Sequence, residues 1–162
     1  MTPSKLLFLC LTTAICATSA FGQLRFSTRD LRGNYVFSYQ GTLVNTQTAL
    51  PTPISAIGVM TLDGEGKITR ATRHLSVGGV IVRASSTGTY TVTPEGLGTA
   101  TFIVLPLDGE PAIVPPTQET FLFVLKSRQS GFGVSGTVRL ANGENLPLLA
   151  ITRVEFARQE EP

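Results

Sequence analysis

The sequence predicts an all-β fold: a single eight-stranded antiparallel up-and-down barrel that follows an N-terminal export signal. Three observations lead there. From Gly58 to Val104, alternating and apolar runs are separated by tight glycine turns, at the spacing of roughly 8–12 residues that sandwiches and barrels show. Beyond the first two dozen residues no stretch repeats its apolar positions with helical period. The strands number eight, so the first and last run antiparallel and can pair, and closure removes the edges that would otherwise seed aggregation.

The first residues stand apart from that pattern. Met1 to Lys5 carries one positive charge, and Leu6 to Ala17 (LLFLCLTTAICA) is apolar. The run is shorter than the roughly 20 residues a membrane-spanning helix needs, and small residues follow it, the order of a secretory signal peptide over residues 1–22. Ala20-Phe21-Gly22 places small residues where a signal peptidase reads them, which puts cleavage after Gly22, with Ala20 as the alternative. The expected location is therefore periplasmic or extracellular, with no transmembrane span in the mature chain. Cys10 and Cys16 both fall within the signal, so the exported part has neither disulfide nor thiolate ligand to hold it together. Ile15 stands before Cys16 where a lipoprotein signal has a small residue, which argues against lipid attachment.

Residues 23–32 read as a polar lead-in, 33–157 as the barrel domain and 158–162 as a flexible tail. Gly33–Gly41 is the first strand, with Tyr35, Phe37 and Tyr39 alternating against Val36, Ser38 and Gln40. Thr42–Pro53 reads as a long connection stiffened by Pro51 and Pro53, and Ile54–Leu62 as the second strand. Asp63-Gly64-Glu65-Gly66 is a hairpin turn; a calcium loop would need further oxygen ligands, which Lys67-Ile68-Thr69 does not supply. Lys67–Leu75 is the third and most polar strand, turned by Val77-Gly78-Gly79 into Val80-Ile81-Val82. Arg83–Gly88 reads either as a turn or as a bulge within one strand running on to Thr93. Only the bulge keeps the count even. Gly98–Leu105, Glu119–Arg128, Gly131–Leu140 and Leu148–Phe156 complete the set, with a second proline-rich loop over Leu105–Gln118 and a turn at Asn142–Asn145. In such a meander both long loops share one end of the barrel with the turns at 77–79 and 142–145. One elaborated end and one plain end suit a ligand-binding barrel.

Composition excludes several classes. Lysine and arginine total 13 against 11 acidic residues, and losing Lys5 with the signal leaves the balance near neutral. No run of like charge marks a nucleic-acid or polybasic membrane surface. His74 is the single histidine, which rules out a multi-histidine metal site; no metal or other cofactor is expected. No Gly-x-Ser-x-Gly elbow occurs, so a triad of His74 with Ser76, Ser85 or Ser86 and Glu119 or Glu155 is formal only, and no catalytic residue is assigned. Arg70, Thr72 and His74 share one face of the third strand; Thr69, Ala71, Arg73 and Leu75 share the other. If the first face points inward, Arg70 and His74 sit in a pocket. If the second does, they are solvated and Arg73 is the internal charge. A solvated strand surface is the simpler reading, because arginine is seldom fully buried unless paired. The aromatics on alternating strand positions, Tyr35, Phe37 and Tyr39 with Tyr90, Phe102, Phe121, Phe123, Phe132 and Phe156, are expected to be mostly core, with some lining an apolar cavity.

The order of Leu31-Arg32-Gly33-Asn34-Tyr35, Asp63-Gly64-Glu65-Gly66, Ser76-Val77-Gly78-Gly79-Val80, Gly88-Thr89-Tyr90-Thr91-Val92 and Gly98-Thr99-Ala100-Thr101 resembles a family of exported, uncharacterised proteins of acidobacterial-type soil bacteria. Those proteins resemble the calycin-type barrels of allene oxide cyclases and plant dirigent proteins. The resemblance implies the barrel over about Leu31–Phe156 and homo-oligomers formed through barrel faces, with Ile57–Val59 or Leu122–Val124 as places for an outward apolar stripe. It transfers no cyclase active-site residue onto this chain.

Three functions are expected from these features: a barrel that binds an apolar or amphipathic small molecule with Arg70, Arg73, His74, Tyr35, Phe37 and Tyr39 as candidate contacts; a ligand-free interaction module of the cell envelope; and, by fold analogy alone, a cyclase- or dirigent-like enzyme.

Overall fold

The computed structural model describes residues 25–107, 109, 115–146 and 148–160; the expected signal, with Cys10 and Cys16, lies outside them. Eight strands succeed one another in order: β1 (Arg32–Asn45), β2 (Pro51–Asp63), β3 (Lys67–Val77), β4 (Val80–Val92), β5 (Leu97–Pro106), β6 (Thr117–Ser127), β7 (Ser130–Leu140) and β8 (Leu148–Arg158). Each pairs antiparallel with the next, and β8 returns to β1 from Tyr35–Arg158 to Asn45–Leu148, so the sheet is a closed up-and-down barrel. The even strand count permits this closure, because it leaves β1 and β8 antiparallel.

The strands outrun their expected limits, most clearly around the first connection. β1 continues to Asn45 and β2 begins at Pro51, so the expected 42–53 loop shrinks to five residues. Pro51 and Pro53 are tolerated because β3 reaches only as far as Ile54 opposite Val77; beyond that point one side of β2 has no ladder for a missing N–H to interrupt. The turn at 63–66 is a plain turn, its Asp63 carboxylate accepting the N–H groups of Glu65 (2.7 Å) and Lys67 (2.9 Å).

β4 runs unbroken through Arg83–Gly88, so the one-strand reading holds. The bulge lies on its neighbour. Leu62 pairs with Ile68 but Thr61 with Arg70, and Ile68 faces Gly88 while Ala71 faces Ser86. One extra residue on β3 at Thr69–Arg70 resets the parity. Ile68, Ala71, Arg73 and Leu75 are all buried, while Thr69, Arg70 and His74 are exposed.

Inside, aromatic rings lie over cross-strand glycines. Phe123 sits opposite Gly98 and Phe156 opposite Gly131. A Cβ at Gly98 would fall 2.2 Å from the Phe123 ring, and one at Gly131 would fall 2.5 Å from the Phe156 ring, so any side chain there would displace an aromatic from the core. Phe123 and Phe156 meet edge-on at 5.5 Å. Phe132, expected among the core aromatics, faces outward and is exposed.

One end of the barrel is stoppered by the residues before β1. Ser27 precedes a 3-10 turn over Thr28–Asp30 whose Asp30 carboxylate accepts the Ser27 N–H (2.8 Å) and hydroxyl (3.1 Å). Leu31 then inserts into the core, and Phe26 packs beside it and bonds to the Pro94 carbonyl. Tyr90 ties this stopper to the wall. Its hydroxyl donates to the Leu31 carbonyl (2.7 Å) and accepts from the Gly64 N–H (3.0 Å). The strand ends at Asn45, Val77, Pro106 and Leu140 all lie at the opposite end, on one side as the meander requires. The barrel is thus a cup with a closed floor.

Replacing Tyr90 with Phe keeps the ring but leaves a buried N–H and carbonyl without their shared partner, a loss of about 1–3 kcal/mol. Urea denaturation of Tyr90→Phe should show that loss, and an unchanged midpoint would mean the stopper is not held by this hydroxyl.

Candidate functional site

The centre of the cup is a buried ion pair. Arg73 on β3 and Glu119 on β6 reach across the interior from opposite walls: Nη1 donates to Oε2 at 2.7 Å and Nη2 to Oε1 at 2.6 Å. The two residues are 3% and 8% exposed. Thr117 adds a third bond to Oε1 at 3.2 Å, and the Tyr39 ring lies 5.6 Å from the guanidinium carbon. The planar fork matches a carboxylate and shares charge over two hydrogen bonds, which lets arginine enter an apolar core. Burial alone would favour the neutral arginine, but the Glu119 carboxylate outweighs it and holds the guanidinium charged, with its pKa above the ordinary value.

Two spaces flank this layer. Below it, toward the stopper, a chamber of about 60 Å³ is bordered by Arg73, Ser86, Phe37, Tyr90 and Phe156 among others. Above it, toward the loop end, a larger space of about 190 Å³ is bordered by Glu119, Thr117, Thr152, Ser135, Val138 and Leu148 among others. Tyr39 and Phe121 border both, and their rings meet at 5.8 Å.

The upper space exists because β7 leaves β8. Their pairing stops at Val134–Arg153, and beyond it, among the described residues, an isolated bridge joins Arg139 to Asn145. A bulge starts the divergence: Glu119 faces Val138 but Phe121 faces Ser135, so Gly136 and Thr137 together oppose one residue of β6. Ser135 closes the seam by side chain, donating to the Ala150 carbonyl (2.6 Å) and accepting the Thr152 N–H (3.1 Å).

Two buried polar atoms at this site have no hydrogen-bond partner among the described residues: Arg73 Nε and Thr152 Oγ1. Thr152 is 6% exposed. Nearly all buried polar groups in folded proteins are paired, so each such atom calls for an explanation, an absent ligand or water among them.

The structure brings together only part of the expected set. Arg73 is at the centre, Tyr39 borders both spaces and Phe37 borders the lower one. Tyr35 is fully buried and packs edge-on against Phe156 near the stopper, outside either lining. Arg70 and His74 are on the outer surface, because the bulge on β3 turns the Ala71–Arg73–Leu75 face inward. His74 and Glu155 are both outside but three strand steps apart, through Ile57 and Ser38, about 14 Å at the usual strand spacing, while Glu119 is inside. The formal triad therefore does not assemble. Glu119, Thr117, Thr152 and Ser135 were not among the expected contacts. Among the described residues, no cluster of three His, Cys, Asp or Glu side chains is placed to hold a metal, and no helix is long and apolar enough to cross a membrane.

No family model matches the chain, and no curated protein matches it. Among solved structures it is similar to one described as EF1p2_mFAP2b bound to DFHBI, at 9% identity and a TM-score of 0.45, over 81% of this chain and 95% of that one.

Removing one member of a buried ion pair strands the other, which typically costs about 3–5 kcal/mol, whereas replacing both with apolar groups is often neutral. Glu119→Gln should therefore lose most of that amount in urea denaturation, and Arg73→Met/Glu119→Leu should recover it to within about 1 kcal/mol of wild type. Equal losses in the single and double variants would contradict a strut of this kind.

Tyr39, Tyr35 and Tyr90 have phenol pKa values raised above the usual 10.0, in each case first by burial. Above about pH 10 the unfolded chain loses these protons while the folded chain keeps them, so the folded state binds more protons and stability falls as pH rises. Urea midpoints should hold steady up to that pH and then decline, and Tyr39→Phe should flatten the decline. An unchanged slope in Tyr39→Phe would mean that the Tyr39 phenol does not contribute to it.

Proposed function

We propose that this protein is an exported barrel that holds an apolar or amphipathic small molecule in the upper space of its cup. The observation that carries the reading is a cavity at the loop-bearing end lined in part by Thr152, whose hydroxyl is buried and has no hydrogen-bond partner among the described residues. Apolar walls with a few convergent polar groups are the usual make-up of a small-molecule site. The closed floor supports it, because Phe26 and Leu31 bar entry from that end. The apolar leader over Leu6–Ala17 supports export to the periplasm or medium. Likeness to the cyclase and dirigent barrels enters as a resemblance of architecture, and no set of reactive side chains accompanies it.

A second reading, an interaction module of the envelope that self-associates through its outer wall, is favoured by one observation. Val36 and Val59 are cross-strand partners on β1 and β2 and both are exposed, with Ile57 beside them at 67% exposure.

Native mass spectrometry of protein purified from its own periplasm or medium, paired with an organic extract of the same sample, separates the two. The first reading predicts a stoichiometric small molecule that leaves on denaturation. A bare mass in every preparation would overturn it in favour of the interaction module.

A further inference from the structure

Resting on that reading, we infer that the upper space selects a compact uncharged molecule: a single ring bearing one neutral oxygen group, a carbonyl or hydroxyl, in preference to a carboxylate. Size sets the first limit. A cavity of about 150 Å³ lined by apolar side chains holds benzene, so about 190 Å³ accommodates one ring and a small substituent.

Charge sets the second. Glu119 borders the upper space, whereas its partner Arg73 borders the chamber beneath. Both terminal nitrogens of Arg73 are already bound to Glu119, so the arginine is neutralised and turned away from the entrance. An incoming carboxylate would surrender its hydration, meet a like charge first and gain no free counterion. A neutral oxygen loses only the smaller hydration of a polar group, and a hydrogen bond to Thr152 can offset that loss.

Hydrogen bonding sets the third limit. The Thr152 hydroxyl is buried and unpartnered among the described residues, while its neighbour Ser135 is engaged on both sides by Ala150 and Thr152 backbone groups. Thr152 therefore carries the unengaged hydroxyl at this seam, and a rotation about its χ1 would bring it to the space that the residue lines, to donate to a carbonyl or to exchange bonds with an alcohol. The rings of Tyr39 and Phe121 at the base supply the apolar contact.

The test titrates the full mature protein with acetophenone, ethylbenzene and benzoate, near in size, at neutral pH. Binding is read by isothermal calorimetry and by amide NMR shifts of β6 and β8. Acetophenone should bind about three- to tenfold tighter than ethylbenzene, the effect of one net hydrogen bond, and at least about tenfold tighter than benzoate. In Thr152→Val its advantage over ethylbenzene should vanish, while ethylbenzene still binds. In Thr152→Ser the advantage should persist. Benzoate binding as tightly as acetophenone, or acetophenone gaining nothing over ethylbenzene in the wild-type protein, overturns the selectivity while leaving the binding barrel standing. Failure of all three to bind saturably overturns the binding reading itself.

Discussion

Two opposite charges can enter an apolar barrel only together, and the interior of this one is arranged around the Arg73–Glu119 pair. Each alone would be an ion taken out of water without compensation. Joined by two short hydrogen bonds, they form a strut from β3 to β6 that divides the interior into a tight lower chamber and a wider cup. The positions of Thr117, Tyr39 and Phe121 suit that strut: the threonine donates a third hydrogen bond to the carboxylate, the Tyr39 ring lies beside the guanidinium, and Phe121 packs against that ring. Pairs of this type add little net stability over an apolar core. Their value lies in fixing where polar atoms stand.

Barrel asymmetry has an equally local origin. Two single-residue bulges, at Thr69–Arg70 on β3 and at Gly136–Thr137 on β7, have different consequences. The first turns Arg73 inward. The second carries β7 away from β8 and opens the wall beside Thr152. At the other end, Leu31 and the Tyr90 hydroxyl seal the floor with a short segment that belongs to no strand. An eight-stranded barrel is either filled by its own side chains or holds one small ligand; here about 190 Å³ stays open where β7 diverges from β8.

Much of the architecture was legible because its signals are local. Glycine turns at 63–66, 78–79, 96 and 143 mark the strand ends, and an even number of strands lets the first pair antiparallel with the last. Strand ends were less legible, since Asn45 and Pro51 extend the ladder only by virtue of neighbours distant in sequence. The site was half legible. Strict alternation placed Arg73 opposite Arg70 and His74, but nothing local reveals which face is inner when a bulge resets the phase at Thr69. The available signal was a pairing between strands: Glu119 shares its face with Phe121, Phe123 and Leu125, as Arg73 does with Ala71 and Leu75. One acid and one base, each alone on an apolar face, point to a partner across the core. Thr152 carries no comparable mark, because its missing partner shows only once the seam between β7 and β8 is seen.

Hydrogen exchange at the Arg73 side chain tests the buried strut most directly. Proton–nitrogen NMR at neutral pH should show Arg73 Nε–H and Nη–H signals that exchange far more slowly than those of Arg153, whose side chain is 70% exposed. Glu119→Gln should speed that exchange. Arg73 signals lost to solvent as quickly as those of Arg153 would mean that the guanidinium is not locked to Glu119, and the division of the barrel into chamber and cup would fall with it.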